Sequence, residues 1–180
     1  MAYPKFEIFK GKDAQFYIRL YAGNGQIILS GEGYQSRESA KDAINSIKKN
    51  AVDKDNFEVR EASNGQPYFV LKAGNGAVLG VSETYSSKAN VEKGIVSVMN
   101  NAPKSEIEDL TAADAPKRKA EFELFNGKAG DIYFRMRAKN GQVLFVSEGY
   151  SSKQAAQNGI ETIMELAKEA EIQDLTEAHN

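Results

Sequence analysis

One pattern of about 50 residues occurs three times in this chain, beginning at Phe6, Phe57 and Phe122. The copies read FEIFKGKDAQFYIRLYAGNGQIILSGEGYQS, FEVREASNGQPYFVLKAGNGAVLGVSETYSS and FELFNGKAGDIYFRMRAKNGQVLFVSEGYSS. They align without a gap, so that Tyr17, Tyr68 and Tyr133 correspond, as do Asn24, Asn75 and Asn140, and Tyr34, Tyr85 and Tyr150. A repeat of this length is a supersecondary unit that cannot bury its apolar face alone and needs a neighbour.

Each copy reads as β-β-β-α-β. Phe6 to Phe9 and its equivalents open the unit as a strand. In the third copy Ile132, Phe134 and Met136 then alternate with Tyr133, Arg135 and Arg137, the period of a half-buried strand. The first copy repeats this with Phe16, Ile18 and Leu20 against Tyr17, Arg19 and Tyr21, and Pro67 opens the strand in the second. Asn24-Gly25, Asn75-Gly76 and Asn140-Gly141 follow and predict two-residue type I′ turns. The next strands, around Ile27–Leu29, Val78–Val81 and Val143–Val146, are apolar on both faces, which predicts burial on both. Ser36, Ser87 and Ser152 are placed to cap a helix. Ala40, Ile44 and Ile47, then Val91, Ile95 and Val98, then Ala156, Ile160 and Ile163 give each helix one apolar stripe. Ala43, Gly94 and Gly159 sit beside that stripe, where small size allows close approach to the sheet. Ile107–Leu110 and Ile172–Leu175 read as short closing strands; the first copy runs straight into Phe57 instead.

The segment FEIFKGKDAQFYIRLYAGNGQIILS, the recurrent SEGYSSK (Ser147 to Lys153) and the helix after it resemble the YegP-like family. That is a bacterial family of unknown function built from one repeat or a tandem pair. The resemblance implies an α+β fold of repeated β(3)-α-β units, pairing into antiparallel sheets with helices on one face and exchanged C-terminal strands. It brings no catalytic or ligand residues with it, and this chain departs from the pattern in having three copies. The expected organisation is a tandem pair over 1–111 (repeats 6–56 and 57–111), a linker over 112–120 and a third single repeat over 121–180.

The chain offers little for catalysis. It has no cysteine, hence no disulfide, thiolate ligand or thiol nucleophile. Its one histidine, His179, lies next to the C-terminus, where a general base or zinc ligand is hard to position. The Tyr-Ser-Ser-Lys runs at 85–88 and 150–153 fit neither the Tyr-x-x-x-Lys nor the Ser-x-x-Lys spacing and read as capped helix starts. No phosphate-binding glycine motif is present. Glu32, Glu83 and Glu148 recur before the helices as single acids, able to cap amides or to meet Arg19 or Arg135. No enzyme activity and no cofactor are expected.

Two binding readings remain. Tyr17, Arg19 and Tyr21, with Tyr133, Arg135 and Arg137, place aromatic and basic groups on one strand face, the arrangement that holds single-stranded nucleic acid or another polyanion. Val70 interrupts that face in the second copy, and a net charge of −2 lacks the basic footprint of a nucleic-acid binder. The preferred expectation is a non-enzymatic interaction or structural module that self-associates: copies one and two pair within the chain, and copy three pairs with copy three of another chain as a two-fold homodimer. The alternative left open is docking of copy three on the first two. With no apolar run near the roughly 20 residues of a span and no signal-like start, no membrane contact and a cytoplasmic location are expected.

Overall fold

The computed structural model describes residues 2–115, 119–127 and 130–176; residues 116–118 of the expected linker and His179 lie outside the described residues. The first unit contributes β1 (Lys5–Lys10), β2 (Phe16–Tyr21), β3 (Ile27–Ser30) and α1 (Arg37–Asn50). A one-turn 3₁₀ helix at Lys54–Asn56 leads into β4 (Phe57–Glu61), β5 (Pro67–Lys72), β6 (Val78–Val81), α2 (Lys88–Asn101) and β7 (Glu106–Asp109). The third unit has β8 (Glu121–Asn126), β9 (Ile132–Arg137), β10 (Val143–Val146) and α3 (Lys153–Glu169).

The first two units share one seven-stranded sheet in the order β4-β5-β6-β3-β2-β1-β7. Their seam is the antiparallel β3–β6 contact, where Ser30 pairs with Val81, its own counterpart in the repeat. Each helix reaches over that seam: α1 packs on β5 and β6 as well as β1 and β2, while α2 packs on β3 and β5. The stripe residues Ala40, Ile44, Ile47, Val91, Ile95 and Val98 are all buried, with Ala51 and Ala102 closing the helix ends against the same core. The capping serines behave as the sequence predicts: Ser36, Ser87 and Ser152 accept from the amides of Ser39, Asn90 and Ala155. A Cβ on Gly94 would collide with the Tyr85 hydroxyl, so it is this tyrosine beneath the helix that requires the small residue.

After α2 the chain crosses to the far edge and lays β7 parallel to β1, with Ile107 beside Phe6 and the Leu110 amide bonded to the Ile8 carbonyl. This is the exchanged strand. Lys5 Nζ holds Glu108 at 2.7 Å, Arg37 Nε holds Asp109 at 3.1 Å, and both the amide and the hydroxyl of Thr111 return to Asp109 Oδ1. The short link from α1 to β4 gives the first unit no equivalent strand, so the sheet has seven strands and β4 is an edge.

The third unit forms its own three-stranded sheet, β10-β9-β8. Two expectations fail there. Residues Ile172–Leu175 form no strand: Ile172 is 98% and Leu175 77% exposed. Nor is β10 buried on both faces; Leu144, Phe145 and Val146 are exposed. The third unit lacks the mate that shields the counterparts of Phe145, Ile172 and Leu175 in the tandem pair, whereas the Val146 position is open there too, as exposed Ser30.

A smaller correction concerns the Asn-Gly turns. Gly25, Gly76 and Gly141 have φ of +81°, +85° and +85°, but no asparagine does. The Gly25 amide bonds to the Ala22 carbonyl and the Ala22 amide to Gln26, a type I turn closed by a left-handed glycine rather than a type I′ turn. Asn24 Oδ1 accepts from the Gln26 amide, and the paired strands shift register beside it at Leu20/Tyr21.

Candidate functional site

Two surfaces arise from this arrangement: a closed polar seam between the third unit and the first, and an open apolar edge on the third unit.

Period-two alternation sends Phe6, Ile8, Ile18 and Leu20 toward the helices and Glu7, Arg19 and Tyr21 to the opposite face. In the third unit Phe134 sits under α3, while Glu123, Arg135 and Arg137 face away from it and meet the first unit. Arg137 Nη2 bonds Glu7 Oε1 at 2.7 Å and the Gly141 carbonyl at 3.1 Å. Glu123 accepts from Arg135 Nε at 2.8 Å and Arg137 Nη1 at 3.2 Å. Arg135 Nη1 reaches the Gly25 carbonyl at 2.6 Å and its Nη2 the Tyr3 hydroxyl at 3.1 Å. The Tyr21 ring lies 4.9 Å from the Arg135 guanidinium and 5.7 Å from that of Arg137. Asn140 Nδ2 adds a bond to the Lys10 carbonyl.

Burial pushes the Glu7 carboxyl up, but Arg137 and Lys5 outweigh it and hold the group below its ordinary value of 4.5. Burial also drives the Tyr21 phenol far above its ordinary range, so it stays neutral. A fully sealed cation needs such a partner set, because an unpaired buried charge is strongly disfavoured.

The expected Tyr/Arg ligand face is therefore largely closed. Arg135 and Arg137 are each 1% exposed and their guanidinium groups are engaged as described. Arg19 is 6% exposed, with its guanidinium stacked 3.6 Å above the Phe9 ring. Tyr17 and Tyr133 remain half-exposed at the rim, each stacked on its own Phe9 or Phe125. A polyanion could lie across Arg135 and Arg137 only by displacing the third unit, whereas Arg19 borders a cleft that the docked third unit leaves open. What covers the face is copy three of the same chain. Glu32 and Glu148 are exposed, and Glu83 accepts from Gln26 Nε2 at 2.8 Å; the partner of Arg135 is Glu123. Glu7 and Glu123 escaped sequence reasoning. The available signal was a glutamate inside an apolar first strand, Phe6-Glu7-Ile8 and Phe122-Glu123-Leu124.

The open edge shows what the third unit lacks. In α3 only Ala156 is buried; Ile160 and Ile163 are half-exposed, and Ala167, the counterpart of buried Ala51 and Ala102, is exposed. Met164 and Leu166 on the same helix are exposed, as are Leu144, Phe145 and Val146 on β10. The closing segment keeps its local geometry without a partner strand: the amide and hydroxyl of Thr176 both return to Asp174 Oδ1, at 2.8 and 2.6 Å, as those of Thr111 do to Asp109.

The domain of unknown function DUF1508 matches this chain three times, over residues 12–58, 62–109 and 128–174. The chain belongs to that family. A UPF0339 protein of Mannheimia succiniciproducens is 50% identical over 111 residues, which are 62% of this chain and 98% of the relative. UPF0339 protein YegP of Yersinia pestis is 45% identical over 111 residues, 62% of this chain and 99% of its own. The solution structure of yegP from E. coli, a protein of unknown function, covers 61% of this chain and 94% of its own, with 38% identity and a TM-score of 0.57. That likeness bears out the α+β class and the YegP-like resemblance. These relatives are uncharacterised and point to no catalytic family. Each accounts for about three-fifths of this chain, whereas the family matches extend through the third unit. Among the described residues no helix is long and apolar enough to cross a membrane.

Proposed function

We propose that this protein is a non-enzymatic self-association module whose third unit joins that of a second copy. The observation that carries this reading is positional. The residues that a mate covers in the tandem pair, on the seam strand, the helix stripe and the closing strand, are those left uncovered in the third unit. Its first unit–facing surface is already occupied, so the vacancy is confined to β10, α3 and the segment Ile172–Leu175.

A second copy fits by repeating the tandem geometry. Val146 would pair with the partner's Val146, as Ser30 pairs with Val81, and each Ile172–Leu175 would lie parallel to the other copy's β8. Charge supports the match. Where β1 has Lys5 against Glu108, β8 has Glu121 and the closing segment has Gln173, which removes a like-charge contact. Lys153 stands at the position of Arg37, in reach of the partner's Asp174 as Arg37 is of Asp109. Two-fold pairing closes on itself and so yields a dimer rather than a filament. Sedimentation velocity on the full chain tests the reading: a species near twice 19.8 kDa is expected, and it should lose mass on dilution. A monomer at every concentration up to roughly 100 μM, equivalent to an affinity weaker than about −5.5 kcal/mol, contradicts it.

A further inference from the structure

The seam between the first and third units holds two clefts lined by corresponding residues. One is built on Phe9, Gly11, Tyr17 and Arg19, with Gln142 and Val143 from the third unit. The other is built on Phe125, Gly127, Tyr133 and Arg135, with Gln26 and Ile27 from the first, and Glu83 and Tyr85 of the second unit add to its wall. The clefts are related as the two units are, but their arginines are not equally satisfied. Arg135 has Glu123, a backbone carbonyl and the Tyr3 hydroxyl. The equivalent partners of Arg19 are Glu7 and the Gly141 carbonyl, and Arg137 has taken both. The symmetry breaks because Arg137 occupies the position that Tyr21 holds in the first unit.

Arg19 is thus the displaced cation. Among the described residues its guanidinium makes one hydrogen bond, a long one of 3.4 Å from Nη1 to the Tyr21 hydroxyl, and no carboxylate stands within ion-pair distance. Burial depresses its pKa more than Tyr21 and Glu7 restore it, and Arg137 opposes it. A guanidinium in this state, stacked on Phe9 and bordering a cleft of about 560 Å³, retains donor capacity for an incoming anion. The cleft size is that of a small-molecule site. Lys12 and Asp13 stand at its mouth, and the Asp13 carboxylate is engaged by the Tyr17 hydroxyl at 2.6 Å. The formal balance across Arg19, Lys12 and Asp13 is one positive charge. Tyr17 and Val143 supply a flat aromatic and an apolar wall.

We propose that this cleft binds a small organic monocarboxylate with a planar apolar body, its carboxylate on Arg19 and its ring against Tyr17 and Val143. The site needs both units of one chain and is independent of whether third units associate.

Benzoate is the probe, with benzyl alcohol as its uncharged counterpart, followed by amide chemical shifts of the full chain. Saturable shifts with benzoate centred on Tyr17, Ile18 and Gly31, and a response at least tenfold weaker with benzyl alcohol, are expected. Arg19→Gln should weaken benzoate at least tenfold. Arg19→Lys, which keeps the charge but loses the planar fork, should recover only part of that loss. The comparison of the two probes on the unaltered protein keeps the test decisive if an Arg19 variant misfolds. No saturable shift up to roughly 10 mM benzoate (about −2.7 kcal/mol), equal response to the alcohol, or shifts centred on the Tyr133 cleft instead would each overturn the proposal.

Discussion

Glu7 Oε1 accepts from Arg137 Nη2 at 2.7 Å, across the seam between the first and third units, and both side chains are sealed from solvent. Lys5 Nζ approaches the other oxygen of Glu7 at 3.1 Å and bonds Glu108 of β7. One carboxylate therefore ties the exchanged strand of the tandem pair to the docked third unit. Glu7→Gln should destabilise the protein by at most about 3–5 kcal/mol, because buried Arg137 and Lys5 would lose the carboxylate they share while Arg137 keeps Glu123 at 3.2 Å. Denaturant unfolding followed by circular dichroism measures this.

The same pair sets a pH dependence. The folded-state pKa of Glu7 is depressed, so its contribution to stability is full above the ordinary value of 4.5 and is lost as pH falls through the lower folded value. Thermal stability should fall below about pH 4.5 in the parent protein, and Glu7→Gln should flatten part of that slope. Identical slopes in both would show that Glu7 is not the titrating group.

Ala14 adopts φ +64°, where the matching positions of the other units are Gly65 and Gly130 at +79° and +86°. A left-handed alanine costs about 1–2 kcal/mol, only partly offset by the greater freedom that glycine loses on folding. Ala14→Gly should therefore raise stability by roughly 0.5–1 kcal/mol, read as a higher denaturant midpoint with an unchanged slope.

Ile47 and Ile163 occupy the same helix position, the first buried and the second half-exposed. In dilute solution, where the chain is monomeric, Ile47→Ala should cost about 2–5 kcal/mol and Ile163→Ala roughly half as much or less. At high concentration Ile163→Ala should also weaken self-association, which Ile47→Ala should not.

Leu29 packs directly over Gly80 at the tandem seam, while the third unit carries Phe145 at the corresponding place, set edge-on to Phe122 and Phe134. In a dimer two Phe145 rings meet near the two-fold axis, where offset stacking suits them. Phe145→Asp should abolish association in sedimentation while leaving the circular dichroism spectrum unchanged, since the ring is 38% exposed in the single chain.

Local features were legible from the repeats because they depend on a few adjacent residues. The serine caps, the Ala/Ile and Val stripes and the meander of each unit follow from side-chain chemistry at fixed spacing. The Asn-Gly dipeptides located the turns, but their type depended on the neighbouring strand register, which a dipeptide does not encode. What failed was partner-dependent. Ile172–Leu175 carries the same pattern as Ile107–Leu110, yet only the latter has a strand to join within the chain. Arg135 and Arg137 alternate with apolar residues as solvent-facing residues do, and a buried salt-linked face has the same period. The Glu7–Arg137 contact spans 130 residues and leaves no mark on either strand alone.

Because the sequence has no cysteine, one substitution tests two-fold pairing through the third unit. Val146→Cys places one thiol at the counterpart of the Ser30–Val81 pair, where directly opposed residues bring Cα atoms within about 4.5–5.5 Å, inside disulfide range. Mild oxidation should convert this variant rapidly and almost completely to a disulfide-linked dimer, while Glu61→Cys on the β4 edge stays monomeric. Slow or equal cross-linking of the two variants would contradict two-fold pairing through the third unit.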